Sequence, residues 1–147
     1  MKAMALRVGS AFRVVLRVPG ALAIFLLAAC LLAALAARQD RQSGLWHTVL
    51  DDSASYGETS ATAMILYSMI EGRRLHLLDA TYDEPIQRAW AGLSTQVDNM
   101  GQASGVSGGT GPGDRESYLA RPQGTYTWGT GAMLMAASAM AEAERGK

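Results

Sequence analysis

The side chains able to do chemistry gather in two stretches. Gly44 to Met64, reading GLWHTVLDDSASYGETSATAM, sets the amphipathic ring of Trp46 beside the titratable ring of His47, with Asp51, Asp52 and Glu58 following. The second stretch holds Thr110, Tyr118 and Arg121, with Trp128 just beyond them. A flat indole suits the apolar C–H face of a cyclic ligand, yet tryptophans beside glycines also pack core edges, and both readings stand for Trp46 and Trp128. His47 can donate a hydrogen bond to an anion or cap a loop. A planar guanidinium grips a carboxylate with two parallel hydrogen bonds, which makes Arg121 the best candidate cation. Thr110 and Tyr118 are weaker polar candidates of the same kind. For Asp51, Asp52 or Glu58 to move protons, each would need a raised pKa and reach to a reacting atom. The plainer reading makes the two aspartates solvated or turn-forming and pairs Glu58 near a helix N-terminus.

Helices must position these groups. Thr59 or Ser60 is an N-cap type, and Ala61, Met64, Ile65 and Met69 recur at helical spacing, which predicts a helix running to about Leu78. Its apolar positions nearly encircle it, as expected of an inner, largely buried helix. The aligned peptide dipoles at its start favour an anionic ligand there. Asp83 is a candidate N-cap with Pro85 in the first turn, and Ile86, Ala89, Trp90, Leu93 and Val97 mark a one-faced outer helix. Glycines interrupt residues 99–121, so a long loop or a small hairpin is expected. A phosphate-binding loop needs GxxxxGK followed by Ser or Thr after a strand, and GGTGPGD has no such lysine. Trp128 to Arg145 returns to helix, with Met133, Ala136, Ala137 and Met140 on one face and Gly146 at its end. The alternation outer, inner, outer, inner suits stacked helical hairpins.

With 147 residues and 49% hydrophobic content, the chain can build one modest core. Its formal net charge of zero conceals a division. Up to Arg41 there are six basic residues and one acidic; beyond it there are seven basic and twelve acidic, a net of −5. No clustered basic face calls for nucleic acid. The single cysteine, Cys30, forms no internal disulfide, and with only His47 and His76 no zinc spacing exists, so no metal or cofactor is implied.

Residues 1–17 carry Lys2, Arg7, Arg13 and Arg17 and no acid, and an apolar run follows from Val18 to Ala37. That pattern is expected of a leader or membrane anchor over 1–37, preceding a helical body over 38–147. Ala34-Leu35-Ala36 would serve as a signal-peptidase site, and Leu27-Ala28-Ala29-Cys30 as a lipobox with Cys30 acylated. The competing reading makes Leu31 to Gln39 a buried outer helix. Location therefore stays open between the cytoplasm and export or membrane association through 18–37.

GLWHTVLDD, ETSATAM, GGTGPGD, YLARP and YTWGTGAMLMA, taken in that order, resemble the C-terminal portion of glycoside hydrolase families 88 and 105. The resemblance runs from about Leu31 to about Glu144. It implies an all-α fold, part of an (α/α)6 toroid of stacked helical hairpins, here with an apolar N-terminal helix. It implies hydrolysis of unsaturated uronic acid residues at the non-reducing ends of lyase-degraded polysaccharides. Trp46, His47, Glu58, Thr110, Tyr118, Arg121 and Trp128 would then bind the unsaturated oligosaccharide. In those families an aspartate protonates C4 of the unsaturated ring and activates the water that adds at C5, unlike the usual pair of carboxylates flanking the anomeric carbon. The family aspartates precede GLW, whereas MKAMALRVGSAFRVVLRVPGALAIFLLAAC holds no Asp or Glu. The resemblance therefore implies a chain without its catalytic acid, inactive alone. The alternative is a non-catalytic, membrane-tethered helical or carbohydrate-binding protein.

Overall fold

The computed structural model describes residues 19–109 and 111–146. The basic segment 1–17 and Thr110 lie outside the described residues. In chain order the elements are α1 (Pro19–Ala36), α2 (Thr59–Arg74), a 3-10 turn (Ala80–Tyr82), α3 (Asp83–Ser94), β1 (Val106–Ser107), α4 (Arg115–Leu119), β2 (Gln123–Gly124) and α5 (Thr127–Arg145). The chain is thus mostly helical, as expected.

Helix α1 starts at Pro19, which is tolerated in a first turn because its missing N–H would have no partner there. Its 18 residues span about 27 Å, and among the described residues no helix is long and apolar enough to cross a membrane. Leu32, Leu35 and Ala36 pack against the core, while Ile24, Leu27 and Leu31 stay largely exposed. Cys30 is exposed and free on the same helix.

The polar stretch after α1 does more than separate helices. Gln39 is buried, and its side-chain amide donates to the carbonyls of Gly44 and Pro85 at 2.9 and 3.0 Å while its oxygen accepts from Arg88. One side chain thereby ties the end of α1 and the Gly44 loop to α3. The loop lies directly on α3 backbone. Gly44 has φ +75°, and a Cβ there would sit 2.2 Å from the Arg88 carbonyl oxygen; a Cβ on Gly92 would sit 2.2 Å from that of Ser43. Glycine is the residue without that atom and without a penalty at positive φ.

Helix α2 packs chiefly on α5 and next on α3, burying Ala63, Leu66, Met69 and Ile70. Its Met64 side remains open, so the burial expected of an inner helix is achieved on the α5 and α3 sides. It ends at Arg74, four residues short of expectation. The cause is packing: Leu77 and Leu78 both donate their amides to the Gly72 carbonyl, and Leu78 folds over Gly72, where a Cβ would come within 2.7 Å of the leucine side chain. His76 takes the left-handed conformation that this reversal requires.

Helix α3 begins at Asp83 itself, behind a 3-10 turn whose start Asp79 caps through the Thr81 amide. Ile86, Ala89 and Leu93 are buried as the spacing predicts. Val97 is not on that helix, because α3 stops at Ser94 and Val97 pairs in an isolated bridge with Ala103. The glycine-rich stretch forms a small antiparallel pair, Val106 with Gly124 and Ser107 with Gln123, enclosing α4. Helix α5 buries Met133, Ala136 and Met140 and ends at Gly146 as expected.

The seat of the 43–45 loop on α3 can be tested directly. Gly92→Ala forces a Cβ into the Ser43 carbonyl and should destabilise the fold by about 1–3 kcal/mol, even against alanine's better helix propensity. Urea unfolding of the purified variant should show a lower midpoint; an unchanged midpoint would mean the loop is not seated there.

Candidate functional site

The two chemistry-bearing stretches meet. Residues 46–48 and 56–58 pair as a narrow ribbon, with Thr48 N–H donating to the Tyr56 carbonyl and Glu58 N–H to that of Trp46. This ribbon, the first turns of α2, the Ser107–Gly109 segment, Tyr118 on α4 and Trp128 at the start of α5 enclose a cavity of about 520 Å³. Of the residues expected to bind a ligand, the structure brings Trp46, His47, Glu58, Tyr118 and Trp128 together at its lining.

Their environments differ sharply. Trp46 is fully buried, its indole N–H donating to the Leu35 carbonyl at the end of α1, so it backs the cavity and offers no open ring face. Trp128 is 45% exposed. Its indole N–H donates to the Ser107 carbonyl at 3.2 Å, and one ring face stacks on Tyr126 with centroids 4.6 Å apart and planes 11° from parallel. Tyr126 escaped the sequence reading, although an aromatic pair at i, i+2 across the start of a helix is a visible signal.

His47 has both ring nitrogens directed at protein groups. Nδ1 lies 2.5 Å from the Ser55 carbonyl, which can only accept, so this nitrogen carries the proton. Nε2 faces Asp40 Oδ2 at 3.4 Å. The ring therefore ties the 40–55 loop together, the capping alternative of the two left open by sequence.

Glu58, and not Thr59 or Ser60, caps α2. Its carboxylate accepts from the Ser60 and Ala61 amides, from the Ser60 hydroxyl and from the Ser107 amide 49 residues away. The longer side chain reaches the second and third amides, while the buried Thr59 hydroxyl finds no partner among the described residues. A resident carboxylate thus already occupies the anion-favouring helix end, which corrects the expectation that this end is open to an anionic ligand.

Arg121 stands outside the cavity lining. Its guanidinium donates to the carbonyls of Gly109 and Gly111 at 2.9 and 3.1 Å, so it shapes the glycine loop from behind. Asp52 accepts from the Ala54 amide and pairs with Arg115 at 2.5 Å, joining the 49–55 loop to α4. The Ala54 amide and then Arg115 hold its carboxyl below the usual range. Asp51 is exposed. Among the described residues no group of three or more His, Cys, Asp or Glu could hold a metal ion. A larger groove of about 860 Å³ lies at the far end of α2, but its cations Arg73 and Arg74 are already paired with Asp83 and Glu71.

Comparison with known proteins bears on this geometry. The model of Glycosyl Hydrolase Family 88 matches residues 24–144. The unsaturated rhamnogalacturonyl hydrolase YesR of Bacillus subtilis (strain 168) is 37% identical over 108 residues, covering 70% of this chain and 28% of that protein. A possible member of the GH105 family from Salmonella enterica serovar Paratyphi A superposes with a TM-score of 0.71 at 34% identity, over 74% of this chain and 29% of the other. A family 105 glycoside hydrolase of C. acetobutylicum shares the fold at 24% identity, TM-score 0.73, over 84% and 39% respectively. The chain spans less than half the length of each.

The Asp40 turn beneath His47 yields a pH prediction. Its carboxylate accepts first from the Ser43 amide, then from the Ser43 hydroxyl and the Gln42 amide, and with the His47 ring beside it these bring its pKa from 3.8 to about 2. A depressed folded pKa means stability that is present above about pH 4 and lost as the pH falls toward 2. The difference in thermal midpoint between wild type and Asp40→Asn should shrink steadily as the pH falls from about 4 toward 2. A difference that does not change with pH would remove Asp40 from the acid response.

Proposed function

This chain belongs to glycosyl hydrolase family 88, and on that footing we propose that it forms part of a hydrolase that removes unsaturated uronic acid residues from the non-reducing ends of lyase-degraded polysaccharides. Residues 38–147 then contribute the C-terminal part of a helical toroid and one wall of its substrate cleft. The observation that carries this reading is that the family match takes in both stretches that wall a single cavity.

The open face of Trp128, backed by Tyr126, is the surface for a sugar ring, with Tyr118 as a polar neighbour. Glu58 is the one acidic residue in the cavity lining among the described residues. A general acid must hold a proton on an oxygen within reach of the reacting atom. Glu58 meets four donors instead, so it is no candidate for protonating C4 of the unsaturated ring. The described cavity supplies binding surface, and the proton donor is assigned to residues outside it.

A second reading draws on α1. Ile24, Leu27 and Leu31, at spacings of three and four, expose 68, 71 and 59% of their surface, a row suited to an apolar environment such as a bilayer. Membrane fractionation of wild type and Cys30→Ser would decide it, since a soluble protein of unacylated mass in both cases removes the tether.

Two outcomes are expected for the carbohydrate reading. The chain by itself should give no loss of ultraviolet absorbance from the double bond of lyase-generated unsaturated disaccharides, beyond a heat-killed control. Turnover abolished by Asp51→Asn or Asp52→Asn would show that the acid lies in this chain after all. In saturation-transfer NMR the same disaccharides should bind, and Trp128→Ala should weaken binding about 3- to 10-fold, the range of a stacking contact. Equal binding by the variant would remove Trp128 from the cleft.

A further inference from the structure

We propose that Glu58 is a positioning residue for the aromatic platform: its buried carboxylate holds the Ser107 segment, and through it the ring of Trp128, against the cavity. The proposal rests on the reading of Trp128 as a ligand-facing surface. Glu58 is 6% exposed, and its carboxylate is the shared acceptor of two elements. On one side stand the Ser60 and Ala61 amides of α2, and on the other the Ser107 amide of β1 at 2.9 Å.

Ser107 passes the constraint on. Its carbonyl receives the Trp128 indole N–H, and its hydroxyl receives the Tyr56 hydroxyl at 3.1 Å. The neighbouring Val106 presses on Gly129, where a Cβ would come within 2.3 Å of the valine. Trp128 is thus set by its own helix, by the Tyr126 stack and by a peptide whose register Glu58 determines. Hydrogen bonds to an ionised acceptor are shorter and about twice as strong as neutral ones, so a carboxylate makes a firmer tether than an amide would.

Side-chain length separates this role from simple helix capping. Aspartate is a good N-cap and can still meet the first amides of α2, but it is one methylene too short to bridge to Ser107 as well. In Glu58→Asp the circular dichroism and thermal midpoint should stay close to wild type. The Trp128 indole N–H, observed in protein carrying ¹⁵N-labelled tryptophan and assigned with Trp128→Phe, should exchange with solvent about tenfold faster or more. The Trp46 indole, bonded to the Leu35 carbonyl, should keep its protection. Glu58→Gln, which retains the length but turns one acceptor into a donor, should also loosen Trp128. Unchanged protection of Trp128 in Glu58→Asp overturns the proposal. So does equal loss at Trp46, which would mean that Glu58 only holds the fold together. If Trp128 loosens as expected while Trp128→Ala leaves disaccharide binding untouched, the positioning role stands and the sugar-platform reading fails.

Discussion

The constraint on which the site depends is a contact between two backbones. Ser43 and Gly44 lie against Arg88 and Gly92 of α3 so closely that a Cβ on either glycine would fall 2.2 Å from a carbonyl oxygen. Two polar chains cannot approach in a protein interior unless their carbonyls are satisfied, and Gln39 supplies donors to Gly44 and Pro85 while Arg88 satisfies its oxygen. The direction of everything after Gly44 follows from this seat. Leu45 and Trp46 enter the core, and the Trp46 indole N–H joins the Arg38 amide on the Leu35 carbonyl at the C-terminal end of α1. His47 is left at the cavity rim, with Nδ1 bonded to the Ser55 carbonyl and Nε2 facing Asp40.

A second constraint is the cost of burying Glu58. A carboxylate removed from water needs donors on its oxygens, and no single element here has enough of them. The first turn of α2 supplies two amides and a hydroxyl, and β1 supplies the last amide. Satisfying one charge therefore draws together pieces of chain about fifty residues apart and makes the cavity wall continuous. It also neutralises the helix end, so any anionic ligand must find its partners elsewhere along the wall.

The exposed apolar residues tell where packing is incomplete within the described chain. Ile24, Leu27 and Leu31 on α1, Met64 on α2 and Leu134 and Met135 on α5 all remain in solvent. Isolated exposed apolar residues need no explanation, but Ile24, Leu27 and Leu31 form a row at helical spacing on α1, which the single Met64 and the adjacent Leu134 and Met135 do not. Helices that stack around an axis have this property by construction, because each buries one side on each neighbour.

Periodicity and local chemistry made much of this legible. The face of α3 through Ile86, Ala89 and Leu93 and the span of α5 were readable because burial on one side imposes a 3.6-residue repeat. The ordered blocks from GLWHTVLDD to YTWGTGAMLMA carried the family. What the sequence could not contain was partnership at a distance. By local preference Thr59 and Ser60 are the caps, and Glu58 displaces them because it gains Ser107 as a further donor. Helix α2 stops at Arg74 because Leu78 folds back over Gly72. Trp46 and Trp128 are the same residue type beside the same kind of glycine-rich neighbour, yet one is sealed in the core and the other half open. Only the three-dimensional arrangement separates them, since burial is a property of what surrounds a side chain and not of the side chain itself.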